Sequence, residues 1–204
     1  MADADIPDIT ALLKRERFHR DTAQWDLCRA AFHPDAEETY IDVSWFQGNI
    51  DAFLARSSAV HPGKVNVIHS SFDPVDIKVS GDRATSSAFC VITSSITLAG
   101  VEYELASYMR LLHRLRKVSG LDSWRIVRLE AIYVRDRLVC AFPGLDASRL
   151  AMPGEILVYP RPYRCMAFVM LNRGLKPRVD LPNEEDQESV RRVLNANVAF
   201  LIDR

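Results

Sequence analysis

Four long runs of alternating apolar and polar side chains, residues 65–79, 84–98, 101–116 and 124–139, constrain this chain more than anything else in it. A period of two places successive side chains on opposite faces of a strand. The punctuation between the runs is tight: Ser80-Gly81-Asp82-Arg83, then Ala99-Gly100, then a loop at 118–123. Connections this short join antiparallel neighbours. The first run is expected to bend or bulge at Asp73-Pro74, because proline has no N–H for the ladder. The expectation is a meander of long antiparallel strands.

The residues ahead of the meander read as helical. Ile9, Leu12, Leu13, Phe18 and Trp25 recur at roughly helical spacing, with Lys14, Arg15, Glu16 and Arg17 among them. This predicts an amphipathic helix with Asp8 or Thr10 as its N-cap. Residues 25–32 continue it or form a second short helix, and His33-Pro34-Asp35 stops it. Residues 38–45 read as a strand. Gln47-Gly48-Asn49 turns into a third helix, 50–60, capped by Asn49 and ended by His61-Pro62-Gly63. Helices followed by a meander imply an α+β fold, a curved sheet with helices packed on one face. The tail reads differently. Residues 143–162 are rich in proline and glycine, 163–171 form a short apolar helix ended by Gly174, and 181–186 open a last helix with acidic residues at its positive end. That helix runs to about 202, with Val190, Val193, Leu194, Val198 and Leu201 on its apolar face. The expected organisation is a domain at 1–142 and, at 143–204, an extension of two helices packed on the domain or on a partner subunit.

Composition removes several functions. Lys and Arg number 26 against 27 Asp and Glu, which supplies no field for nucleic acid or an anionic membrane. The basic cluster at 110–117 reads as the solvated side of a strand and its turn. The four cysteines, Cys28, Cys90, Cys140 and Cys165, are far apart in apolar surroundings, as buried free thiols are. No metal-ligand spacing joins them to histidine, so no metal is expected. The first residues lack the basic and apolar regions of a leader, and no apolar run is long enough to span a bilayer, so a cytoplasmic protein is expected. No GxSxG, P-loop, GxGxxG or HExxH occurs, and no cofactor is expected.

Two polar residues stand out. His69 lies in Val65-Asn66-Val67-Ile68-His69-Ser70-Ser71-Phe72, on the face that carries Val65, Val67 and Ser71. It is either a structural histidine bonded to backbone or a group that moves protons near neutral pH. Asp21 shares a helix flank with Phe18 and Trp25, three residues behind and four ahead. It is either a solvated carboxylate or a partner for an imidazole. Tyr40 and Trp45, on opposite strand faces, are core aromatics or ligand contacts. Tyr103, Leu105, Ser107, Met109, Leu111 and His113 share one face and line a cavity or fill a core. His113 is the other acid–base candidate there, whereas His19, His33 and His61 are expected to be exposed.

The order of these features resembles the SnoaL-like branch of the nuclear transport factor 2-like superfamily. It runs through Asp21-x-x-x-Trp25, Phe32-His33-Pro34-Asp35-Ala36, a strand, the Gly48-Asn49 helix and His69. It continues with Ser80-Gly81-Asp82-Arg83-Ala84, Tyr108 to Arg114, and Trp124-Arg125-Ile126 with Asp136 behind it. The resemblance covers about 6–138, and the tail with Tyr163-Arg164-Cys165 and Asp180-Leu181-Pro182 is similar to an extension in some members. It implies an α+β cone, a curved antiparallel sheet wrapped around the N-terminal helices with a deep apolar cavity. Scytalone dehydratase, within that superfamily, has an aspartate four residues before a tryptophan, as Asp21 precedes Trp25. Its tyrosine lies fifteen residues after that tryptophan, as Tyr40 does, and a strand histidine corresponds to His69. The resemblance implies that Asp21 orients and polarises His69 and that Tyr40 faces substrate.

The chain departs from that pattern at Arg20, which replaces a tyrosine, and at Met109 and Leu111, near which a serine and an asparagine fall. The run 84–98 also lacks a second histidine. These departures remove groups that polarise a ketone and expel a hydroxyl, so the expectation moves from dehydration to isomerisation. The expected activity is a cofactor-independent acid–base isomerase of a cyclic polyketide-derived metabolite. His69 and Asp21 would be catalytic. Tyr40, Arg20 or Tyr108 would stabilise an enolate, and Phe18, Trp25, Met109 and His113 would contact the substrate. The alternatives are a dehydratase or aldol-type cyclase, or a non-catalytic binding or assembly module. The expected partners are a small molecule in an apolar cavity and a second copy of the chain, paired as a dimer through outer sheet faces.

Overall fold

The computed structural model describes residues 2–73, 76–142, 150 and 152–202. The N-terminal half holds α1 (Ala2–Asp21), α2 (Trp25–Ala30), β1 (Tyr40–Val43), β2 (Phe46–Gly48) and α3 (Ile50–Ala59). Then come β3 (Val67–Ser71), β4 (Asp76–Ser80), β5 (Arg83–Leu98), β6 (Val101–Val118) and β7 (Ser123–Cys140). The chain closes with α4 (Arg164–Asn172) and α5 (Gln187–Ile202). The sheet order is β2-β1-β7-β6-β5-β3, with β4 also on β5. All pairs are antiparallel except β1 on β7. The fold is the expected α+β cone.

Several boundaries differ from the sequence reading. The helix α1 begins well before Asp8 and Thr10 and runs through Pro7, forgoing one backbone hydrogen bond there. The run 65–79 is two short strands, β3 and β4, both on β5. Of the expected bend, Pro74 lies outside the described residues. The strand at 38–45 shortens to β1, because Thr39 Oγ1 bonds back to Ala36 O in a 3₁₀ turn. Asn49 caps α3 as expected, its side chain accepting the Ala52 N–H. The acidic run at 184–186 does not open α5. Leu181 and Pro182 instead lie along β7, where the Tyr133 N–H donates to Pro182 O. Asp186 then accepts from Glu188 N and Ser189 N at the start of the helix. Of the expected connector at 143–162, residues 143–149 and 151 lie outside the described residues.

Curvature comes from β7. Its register against β6 shifts between Tyr108 and Met109 and again between Arg114 and Leu115, leaving Val134 and Val127 unpaired. Bulges of this kind bend a strand and increase its twist. On the concave side Ile9, Leu13, Phe32, Ile41, Leu115, Ile126 and Leu129 form the buried core under α1 and α2. On the convex side a smaller cluster joins Leu112 and Ile132 to Val190 and Val193 of α5. Arg114 Nε donates to Asn197 Oδ1 at 2.8 Å, and Arg83 to Phe200 O at 2.9 Å, fixing α5 on the outer face. All four cysteines are free, with Cys28 and Cys90 buried. No helix among the described residues is long and apolar enough to cross a membrane.

Candidate active site

The helix α1 ends at Asp21 because the chain turns left-handed at Ala23, φ +57°, and Gln24 N–H donates back to His19 O at 2.8 Å. This delivers the Asp21 carboxylate to the middle of β3. The strand β3 is at the sheet edge, so half of its N–H groups have no ladder partner. One of these, on His69, donates to Asp21 Oδ2 at 2.7 Å, while Oδ1 lies 2.6 Å from His69 Nδ1. Both carboxylate oxygens therefore hold one residue. The two side chains are 10% and 6% exposed.

Electrostatics complete the arrangement. Burial alone would raise the Asp21 pKa. The hydrogen bonds and charge of His69, with Arg20 adding to them, hold it below the usual carboxylate value. Burial lowers the His69 pKa below its ordinary value; Asp21 opposes the fall, and the charges of Arg17 and Arg20 add to it. At neutral pH the pair is an ionised carboxylate and a neutral imidazole. A carboxylate only accepts, so Nδ1 carries the proton and Nε2 the lone pair. This is the tautomer a general base needs.

The pair stands between two cavities. The larger, about 400 Å³, has flat walls from Trp25, Trp45 and Phe53 and aliphatic walls from Leu105, Met109 and Leu111. Trp45 and Phe53 stack with centroids 5.3 Å apart. Its far wall is Met166, Val169 and Met170 of α4. That helix is fixed by its Met166 N–H, which donates to Asp136 on β7 at 2.7 Å. The smaller cavity, about 310 Å³, opens between α1 and β3 past Phe18, Ile68 and Phe72. Arg17, Asp21, His69 and Leu111 belong to both.

The other expected site residues are distributed unevenly. Trp25, Met109 and Arg20 line the larger cavity; Phe18 and His113 line the smaller. Phe18 is 60% exposed. Tyr40 and Tyr108 line neither, which corrects the expectation that they face substrate. Tyr40 alternates with buried Ile41 and lies under the Arg128 guanidinium, 4.3 Å from its centroid. Tyr108 alternates with Met109, and Arg135 covers its ring at 4.5 Å. His61, expected at the surface, is half-buried, lines the larger cavity and meets the Trp25 ring edge-on at 5.6 Å. His113 is buried, with Nδ1 3.1 Å from Ser86 Oγ and no partner for Nε2 among the described residues. Burial, with Arg17 adding to it, pushes its pKa down to about 3.

One residue with chemistry was missed. Tyr133 is buried in the larger cavity, opposite Met109 in the β6–β7 register. Its hydroxyl oxygen accepts the Ser44 N–H at 2.9 Å, a bond that leaves the phenolic proton to be donated elsewhere. Burial holds that proton on, raising the pKa to about 12. Among the described residues no three His, Cys, Asp or Glu side chains cluster as a metal site requires.

A curated relative, pea pathogenicity protein 2 of Fusarium vanettenii, is 26% identical over 172 residues, covering 80% of this chain and 69% of that protein. An uncharacterised protein of Emericella nidulans is 27% identical over 173 residues, again 80% of this chain and 69% of the relative. Among solved structures, a nuclear transport factor 2-like superfamily protein of Salmonella enterica superposes with TM-score 0.52 at 17% identity, covering 71% of this chain and 97% of that one. A Novosphingobium aromaticivorans protein provisionally named a scytalone dehydratase gives TM-score 0.54 at 17% identity, covering 71% and 95%. These likenesses establish the fold alone. A model of the SnoaL-like domain matches residues 4–130, more than half the chain, and the protein therefore belongs to the SnoaL-like family, on a nuclear transport factor 2-like fold.

Proposed function

We propose that this protein is a cofactor-independent isomerase that moves a proton within a cyclic, polyketide-like ketone. The two-point clamp of Asp21 on His69, at the wall of a flat-sided apolar cavity, carries the reading. His69 Nε2 removes a proton from a carbon next to the carbonyl. Asp21 keeps the other ring nitrogen protonated and stabilises the imidazolium that forms. The negative charge that develops on the ketone oxygen is met by the Tyr133 hydroxyl, in the role expected from the sequence of Tyr40, Arg20 or Tyr108. The imidazolium then returns the proton to another carbon, and mass is unchanged.

Dehydration on the same site would need a second acid to expel hydroxide. On β5 the side chains lining the cavity are Ile92, Ser94 and Ile96, none of them an acid, and the one further histidine among its described lining residues, His61, lies edge-on against the Trp25 ring. The same pair would serve an aldol-type cyclase, and the fold also serves non-catalytic binding modules. The test needs no natural substrate. Incubating the protein with 2-tetralone in deuterium oxide and following α-deuteration by mass spectrometry reads proton abstraction directly. The expected result is faster exchange than in buffer, abolished in His69→Ala and reduced about tenfold to a hundredfold in Tyr133→Phe. A folded His69→Ala variant that exchanges at the wild-type rate rules out the assignment.

A further inference from the structure

The larger cavity carries more positive charge than its own residues neutralise. Arg17, Arg20, Arg56 and Arg173 line it, and Asp21 is the one carboxylate among its described lining residues. Arg17 is satisfied by Glu16, with which it forms a buried, doubly bonded pair. Arg56 lies over the Trp45 ring, 5.6 Å from its centroid, at the exposed end of α3. The Arg173 side chain makes no bond or ion pair with a described residue.

Arg20 decides the matter. Its side chain is 15% exposed, and the nearest carboxylate oxygen, Asp21 Oδ1, is 3.7 Å away, beyond hydrogen-bond reach. That oxygen is already taken by His69 Nδ1, and Oδ2 by the His69 N–H. No N–H of the guanidinium is hydrogen-bonded to a described residue, and its Cζ sits 5.8 Å from the centre of the Phe53 ring. Burial, with the charge of Arg17 next, lowers the Arg20 pKa. A largely desolvated guanidinium whose five donors find no hydrogen-bond acceptor among the described residues is costly until an anion completes it. Its planar fork fits two oxygens of one group, as a carboxylate presents them.

We propose that the substrate is an anion: an aromatic or polycyclic carboxylic acid whose carboxylate is held bidentate by Arg20 and whose rings lie against Trp45 and Phe53. This rests on the reading of the larger cavity as the substrate site. Arg20 and His69 flank the same aspartate, so the acid group sits beside the carbon that exchanges its proton, while Arg56 and Arg173 supply an attractive field at the mouth.

The test compares 2-naphthoate, methyl 2-naphthoate and 2-naphthol by isothermal titration calorimetry on the full chain. The expected result is at least tenfold tighter binding of the acid than of the ester or the phenol. Arg20→Gln should remove that preference without weakening the ester, Arg20→Lys should restore part of it, and His69→Ala should keep it. Equal affinity for acid and ester overturns the inference, as does a preference that survives Arg20→Gln, or no binding of any of the three at millimolar concentration. If Arg20→Gln fails to fold, the wild-type comparison still decides. A protein that exchanges α-protons but does not prefer the acid loses this inference alone. One that prefers the acid but never exchanges loses the isomerase reading and remains an acid-binding site.

Discussion

Two histidines sit on the concave face of the same sheet and have opposite fates. His69 and His113 are both buried, and burial lowers the pKa of both. Both also feel the positive charge of Arg17. They differ in what holds Nδ1. For His69 it is a carboxylate, which opposes the fall; for His113 it is the hydroxyl of Ser86. Glu16 reaches His113 only through space, and its charge is already spent on Arg17. His113 is therefore neutral throughout the physiological range, with no carboxylate bonded to its ring to stabilise an imidazolium. Burial does not make a strand histidine a base; a dedicated carboxylate keeps it basic enough to be one.

The strongest way to break this contrast is to make His69 resemble His113. Asp21→Asn removes the charge and the obligate acceptor together. Exchange into 2-tetralone should fall by roughly 10²- to 10⁴-fold. Asp21 is also the group that raises the His69 pKa, so the acid limb of the wild-type rate, whose midpoint lies below the ordinary 6.5, should move to still lower pH in the variant. A midpoint that stays in place, or moves up, contradicts the electrostatic account.

A second measurement sharpens the other half. The folded His113 binds its proton only near pH 3, whereas the unfolded one binds near 6.5. Between those values the unfolded state holds more protons, so stability is full above pH 6.5 and falls as the pH drops toward 3. The loss approaches about 1.4 kcal/mol per pH unit for one such group. Urea unfolding of wild type and His113→Gln at several pH values isolates it: the variant should lose less stability on acidification and keep its exchange rate within a few-fold. Equal slopes would show that His113 is protonated in the folded state. The smallest expected effect tests how Asp21 is delivered. Ala23 holds a left-handed conformation that glycine adopts freely, so Ala23→Gly should add up to about 1 kcal/mol in stability without changing exchange. A loss of stability would mean that the methyl group contributes more than the conformation costs.

Much of this was legible from the residues. Three long strands, the Asn49 cap and the inward face of Tyr103 to His113 follow from period and turn chemistry, which are local. The contact of Asp21 with His69 is what the family resemblance implies; the residues alone leave both a structural histidine and a solvated carboxylate open. Tyr40 was misplaced because its spacing from Trp25 was preferred as a guide, and Tyr108 because strand alternation, which puts it on the face away from Met109, was not applied to it. Tyr133 was hidden for a different reason. Counting by twos from the inward Ile126 puts Ile132 inside and Tyr133 outside, but the unpaired Val127 flips the parity. A bulge leaves little mark in composition. The wall formed by Met166, Val169 and Met170 was beyond reach because it depends on where a distant tail returns. Asp136, the carboxylate that fixes it, reads in isolation like any polar residue near a strand end.

The bond from Asp21 Oδ2 to the His69 N–H has a consequence outside chemistry. An edge strand with a free N–H, flanked by exposed Ile68 and Phe72, is a template on which another chain can add a strand. The end of α1 covers that position with a charged group. The carboxylate that would prepare the base in the proposed reaction therefore also occupies the edge N–H on which a further strand would pair. A lineage that abandoned catalysis would still be under pressure to keep an acceptor there, so the persistence of this aspartate in a relative is not by itself a sign that the relative is active.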